Sequence, residues 1–565
     1  MPQRYRKAMA WYRKSVNGGN VEAMYGIGLL YAHGQGVAES YAKALACYRK
    51  AAAAGVSQAM GAIATLYEHG WGVRQSYQKA MAWWCKAAAA GNTNAMLSIG
   101  ASYVQGQDVP RNYKKAITWW RKAAERGDAQ AMSNIGVAYT RSQGVPRNYQ
   151  KAMAWYRKAA AEGSAYAMGA VATLYVHGWG VPQNYQKAMA WYRKSAAGGS
   201  KHAMMGIGRL YAHGLGTRQN YQKAMIWLRK AAAAGNALAM YNIGCLYERN
   251  FGVPQSYQKA ITWWRRAAAG GNTNAMLNIG LSYVQGQGVP RNSKKAISWW
   301  QKAAAGGNTN AMLNIGVSYL QGQGVPRNYK KAMAWYRKAA AAGDAEAMDN
   351  IGWSYGHGLG VKRDYHEAMA WFRRAAAGGN TDAMGSIGFL YEMGYGVPRN
   401  HQKAMAWYRK AAVAGSPAGE FQLSELYAKG LGTPKNLAKA RFWLEKATAA
   451  NFPPAKQALE KLGPVPSTQK AEKSKLVLQW INLRVLGALA VKINPGVPLH
   501  SLNPRYLRYL RLPSCLQLFM MKILRPFTRP TSITNATAIT TPRWAYGPAR
   551  TPPATSTAPI PISLC

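Results

Sequence analysis

Twelve glycines, Gly19, Gly55, Gly91, Gly127, Gly163, Gly199, Gly235, Gly271, Gly307, Gly343, Gly379 and Gly415, stand 36 residues apart without one insertion. A strict period of this length prescribes a stack of equal modules, each stabilised by its neighbours, rather than one irregular core. Asn451 takes the next slot, and the pattern fades at about Leu462.

Each module predicts two helices. The first follows a capping residue such as Asn92, Asp128 or Ser164, with Val56 the exception in the series. Ala23, Ile27 and Tyr31 then fall at i, i+4 and i+8, on one buried face. The tyrosine recurs in all twelve units, giving Tyr31, Tyr67, Tyr103, Tyr139 and Tyr175 as framework residues. A Gly-x-Gly-Val segment such as Gly34 to Val37 ends this helix, because glycine accepts the left-handed backbone of a tight reversal. Ser142, Asn250 and Asp108 replace loop glycines and predict irregular turns. A second cap, Ser40, Ser76, Asn112 and their equivalents, opens the second helix in every unit.

The second helix carries Ala44, position 47 and Ala51 on one stripe. Position 47 is Trp in twelve of thirteen copies, including Trp83, Trp119, Trp155, Trp191 and Trp227, with Cys47 the exception. Small alanines let helices approach closely, and the indole is expected to fill the gap as core framework. The expected class is an all-α solenoid of about twelve 36-residue helix-turn-helix repeats over residues 1–462, followed by a non-repetitive tail at 463–565.

Charge points to the partner. The chain has 72 Lys and Arg against 20 Asp and Glu, a net charge of +52 whose field favours acidic partners. The cations recur in register: Lys or Arg fills the slot of Lys50 in every second helix, that of Lys43 in twelve of thirteen and that of Arg49 in ten of thirteen. The bland reading is a solvated basic face. The sharper one is an anion-binding surface for nucleic acid, anionic lipid or an acidic protein, with Arg121, Arg157, Lys158, Arg193, Lys194, Arg229 and Arg337 as candidates.

Catalysis has no visible residues. The sequence holds no nucleophile elbow, phosphate-binding glycine loop, zinc-protease helix or recurrent carboxylate pair, so no catalytic residue, cofactor or small-molecule substrate is expected. His33, His69, His177, His213 and His357 share one phase, but neighbouring helices lie about 8–10 Å apart, too far to share one ion, so no metal site is expected. The five cysteines form no Cys-x-x-Cys pair, and neither a zinc knuckle nor a disulfide framework is written here.

The module Ala-Met-x-x-Ile-Gly-x-x-Tyr, Gly-x-Gly-Val, Asn-Tyr-x-Lys-Ala-Met-x-Trp-Tyr-Arg-Lys-Ala-Ala closely resembles the Sel-one-like repeat family, relatives of tetratricopeptide repeats, over roughly residues 1–462. The resemblance implies a right-handed superhelix with first helices lining a concave surface, and a protein-binding adaptor without catalysis. Residues off the framework on that concave side, Tyr25, Leu97, Tyr241, Leu277 and Phe421, are expected to set partner specificity. Paired repeat cysteines, found in a branch of the family linked to beta-lactams, are absent.

The compartment stays open: no secretory signal opens the chain, which taken alone points to the cytoplasm. Met1 to Lys14 already lies inside a repeat, however, and an export signal upstream of a truncated start is the alternative. In the tail, fourteen of the 26 prolines and thirteen basic residues accompany a single acid, Glu472. Disorder is expected there. Leu476 to Val491 is too short and polar for a membrane span, and Tyr506 to Leu524 is basic and apolar by turns.

Overall fold

The computed structural model describes residues 2–106 and 109–462. The tail, with its expected disorder and the stretches Leu476 to Val491 and Tyr506 to Leu524, lies outside the described residues, as does Asp108. The described residues form 26 helices and no strand. They alternate between a first and a second type in the predicted register.

Two compact units divide the chain, Met1–Arg327 and Asn328 onward. The first opens with a second-type helix, Pro2–Asn17, continues through eight complete pairs from Ala23–Ala32 and Tyr41–Ala53 to Thr273–Gln285 and Ser293–Ala305, and ends on Thr309–Gln321. The second opens with Tyr329–Ala341, holds three complete pairs from Ala345–His357 to Leu437–Ala449, and ends on Pro453–Lys461. In each unit the main packing joins helices consecutive in sequence. Cohesion therefore arises between adjacent modules.

The helix ends follow from their caps. The side chains of Ser76, Asn148 and Asn184 accept hydrogen bonds from the backbone N–H of Lys79, Lys151 and Lys187, satisfying donors that the helix itself leaves free. Val56 has no such group, and its helix starts without a side-chain cap. The expected irregular turns at Ser142 and Asn250 are a correction: both residues adopt the left-handed backbone, at φ 58°, that glycine holds elsewhere. Asparagine and serine tolerate that region at modest cost, so the reversal survives.

The core centres one residue beyond its expected position. On the second helix Ala152, Tyr156, Ala159 and Ala160 are buried, whereas Trp155 is only half-buried. At about 100° per residue, position 156 lies in the middle of the arc defined by 152, 159 and 160, and position 155 falls on its flank. The same correction applies to Trp83, Trp119, Trp191 and Trp227, which border the core, while Trp84, Trp120, Tyr192 and Leu228 are buried. Opposite this ring the first helix must give way. A Cβ on Gly136 would lie 2.5 Å from the Tyr156 ring, which is why the position carries no side chain.

Candidate functional site

The cations of the second helices are built into the framework. Arg157 donates from Nη2 to the Tyr175 hydroxyl at 2.8 Å, linking one repeat's second helix to the next repeat's first. From the other side, Lys187 Nζ stands 5.8 Å from the centre of the same tyrosine ring. Arg193 and Arg229 bond Tyr211 and Tyr247 at 3.1 Å, Arg337 bonds Tyr355 at 3.1 Å, and Arg121 reaches Tyr139 at 3.5 Å. Lys158 and Lys194 sit over Trp155 and Trp191 at 4.9 and 5.0 Å. All seven residues expected to hold anions thus contact aromatic side chains.

This explains how so basic a chain packs. Ion pairs such as Glu248 with Arg249 and Glu425 with Lys429 occur among the described residues, but the chain has far fewer acids than bases. Aromatic rings and phenol oxygens take the place of carboxylates, each cation over a ring contributing about 0.5–1 kcal/mol at exposed positions. The framework tyrosines serve on both sides at once: Tyr67 accepts from Arg49 at 3.3 Å and lies under Lys79 at 5.5 Å. Tyr31 and Tyr103 lie under Lys43 and Lys115 at 5.6 and 5.5 Å, and Tyr139 under Lys151 at 5.9 Å.

Where the framework residue is missing, a hollow opens. Cys47 replaces the tryptophan, and a cavity of about 340 Å³ lies between Arg13, Met24, Ile27, Tyr31, Cys47 and Lys50. Cys85 replaces the arginine, and a cavity of about 350 Å³ opens beside Met96, Trp119 and Lys122. Burial pushes both thiols up.

The expected specificity positions on the first helices divide. Tyr25 is half-buried with its ring 5.7 Å from Tyr48, Leu97 and Tyr241 are half-buried, and Phe421 packs 5.7 Å from Phe452. Leu277 is a correction, only 5% exposed, and cannot read a partner. Ser133, Met205, Leu313 and Asp349 in the same column are also buried.

One helical turn on lies a column that sequence reading missed. Leu29, Thr65, Ala101, Val137, Thr173, Arg209, Cys245, Leu281, Val317, Trp353, Phe389 and Glu425 are all half-buried, and nine residue types fill twelve positions. Aligning the repeats by register and asking which column varies while staying partly exposed is the signal that finds it. Polar groups in and beside it shape local chemistry. Burial raises Cys245 to about 11. In the second unit Tyr408 donates to Glu392 at 2.7 Å, and burial followed by that carboxylate drives the phenol well above its ordinary value.

Among the described residues no cluster of His, Cys, Asp and Glu could hold a metal ion, and no helix is long and apolar enough to cross a membrane. The described chain is an all-α solenoid of stacked helix pairs, a repeat protein by construction. Its sequence matches the Sel1 repeat model in thirteen consecutive stretches, from residues 1–20 and 21–56 to 417–452, and the chain belongs to the Sel1 repeat family. The thirteenth stretch is the partial module at 1–20, ahead of twelve full periods.

A protective antigen of uropathogenic Escherichia coli with the same repeat fold, c5321, is 30% identical over 81% of this chain and 98% of its own, with a TM-score of 0.51. A Sel1 repeat protein of Oxalobacter formigenes is 30% identical over 54% of this chain and 88% of its own, with a TM-score of 0.44. No curated protein matches the sequence.

Proposed function

We propose that this chain is a scaffold that binds partner proteins along the first helices of its repeats, without catalysis. The observation that carries the reading is the contrast between the two helices. The second helices repeat almost one sequence, and their cations bind aromatic framework residues; the first helices carry a half-buried column that differs from repeat to repeat. Repeat proteins distinguish partners with variable residues on a constant frame. The basic field supports acidic proteins as partners, because it accelerates their encounter.

The test is affinity capture from native lysate with the full chain. A protein retained by the wild type should be lost when Thr65, Val137, Thr173 and Val317 are changed together to lysine, and kept when Arg157, Arg193 and Arg229 are changed to glutamine. Capture that follows the arginines alone, and extends to DNA or anionic vesicles with a steep salt dependence, would replace the scaffold with a polyanion binder.

A further inference from the structure

The two hollows occupy one place in the repeat. Arg13, Asn17, Met24, Cys47 and Lys50 line the first; two periods on, their counterparts Cys85, Ala89, Met96, Trp119 and Lys122 line the second. In the module between them the framework is complete: Arg49 donates to the Tyr67 hydroxyl at 3.3 Å, and Lys86 stands 4.6 Å from the centre of the Trp83 ring.

What separates the hollows is the state of their cations. In the second, Lys122 stands 4.4 Å from the centre of the Trp119 ring and Arg126 donates to the Gly91 carbonyl at 3.4 Å, so both are engaged. In the first, both framework cations lack their usual partner. Cys47 offers Lys50 no indole, and Arg13 makes no hydrogen bond to Tyr31, the tyrosine eighteen residues on. Tyr31 is engaged instead by Lys43, 5.6 Å from its ring centre. Arg13 and Lys50 are exposed, and they share the hollow with apolar Val16, Met24 and Ile27. No carboxylate lines it, and burial outweighs Lys50 in raising the Cys47 thiol, which therefore stays neutral at neutral pH. Its volume of about 340 Å³ falls within the range of small-molecule sites, roughly 300–1,000 Å³.

We propose that this hollow binds a small amphipathic oxyanion, an apolar body carrying one carboxylate or phosphate head. The body covers Val16, Met24 and Ile27, taking the place that an indole holds in other modules, and the head meets Arg13 and Lys50. The guanidinium fork matches two oxygens of either head, and the ammonium adds a point charge. The inference goes beyond the scaffold reading, because the ligand is a free small molecule and its site lies apart from the variable first-helix column.

The experiment is calorimetric titration of octanoate, and separately octyl phosphate, into the full chain. At least one should bind saturably, one molecule per chain, and the tighter of the two identifies the head. Octanol, the body alone, and acetate, the head alone, should each bind about tenfold more weakly or worse. Cys47→Trp fills the hollow and gives Lys50 its ring, so it should abolish binding without lowering the melting temperature. Arg13→Gln with Lys50→Gln, at exposed positions, should weaken binding by about tenfold or more, and this variant decides alone if Cys47→Trp misfolds. Arg147→Gln with Arg218→Gln, at exposed turn arginines, removes the same charge and should leave binding unchanged, as should Cys85→Arg in the second hollow. Binding that survives Cys47→Trp or the Arg13 and Lys50 changes, an equal loss in either control, or no saturable binding of either oxyanion would overturn the site.

Discussion

The guanidinium of Arg157 and the hydroxyl of Tyr175, eighteen residues apart and in different modules, are 2.8 Å apart in a hydrogen bond. Lys187, twelve residues beyond the tyrosine, stands over the same ring. The tyrosine is therefore held from both sides, by the preceding module's arginine and its own module's lysine, groups that a purely compositional reading assigns to solvent. The arrangement holds a high positive charge without matching carboxylates.

Replacing Arg157 with glutamine should lower stability by about 1 kcal/mol, toward the low end for a hydrogen bond to a charged group because the pair is only partly buried. Combined with Tyr175→Phe, the two changes should be less than additive in urea denaturation. A double-mutant cycle with no coupling would remove the bond from the list of stabilising contacts.

Tyr156→Ala should destabilise more than Trp155→Ala, although tryptophan is the larger side chain. Tyr156 is 3% exposed and Trp155 half-buried, so the first should cost about 3–5 kcal/mol, in the range of buried aromatic truncations, and the second about half that. Denaturation midpoints of the two variants check the order; the reverse order would restore the tryptophan to the centre of the core.

Cys47→Trp should fill the hollow of about 340 Å³ with the side chain that the other second helices carry, and place an indole beneath Lys50. A rise in melting temperature of a few degrees is expected, equivalent to about 1 kcal/mol. A fall would mean that the surrounding helices have already closed on the smaller thiol.

Stability should decline in mild alkali through Cys245. Burial raises this thiol from about 9 to about 11, so the folded chain holds a proton that the unfolded chain releases earlier. The contribution is complete below about pH 9 and disappears as pH rises toward about 11. Melting temperatures between pH 8 and pH 10.5 should fall less steeply in Cys245→Ala than in the wild type.

Much of the fold was legible because the signals were local and repeated. A cap such as Asn148 acts on a donor three residues away, and the same pattern twelve times over leaves no ambiguity of register. Faces were harder. Positions 155 and 156 both fit an apolar stripe by spacing, and only packing against Gly136 shows which ring is enclosed. Leu277 was misplaced for the same reason: its spacing fits an exposed face, and only packing shows that it is enclosed.

By itself the sequence determined the period, the two helices of each module, their caps and the glycines of their turns, because each depends on backbone preferences within a few residues. Only the tertiary structure decided that the cations bind tyrosine and tryptophan, that Tyr156 and not Trp155 is enclosed, and that Tyr408 meets Glu392. Most of those relationships join separate helices, with Arg157 and Tyr175 eighteen residues apart and Tyr408 and Glu392 sixteen, and their energies depend on burial and distance, quantities that exist only once the modules are stacked.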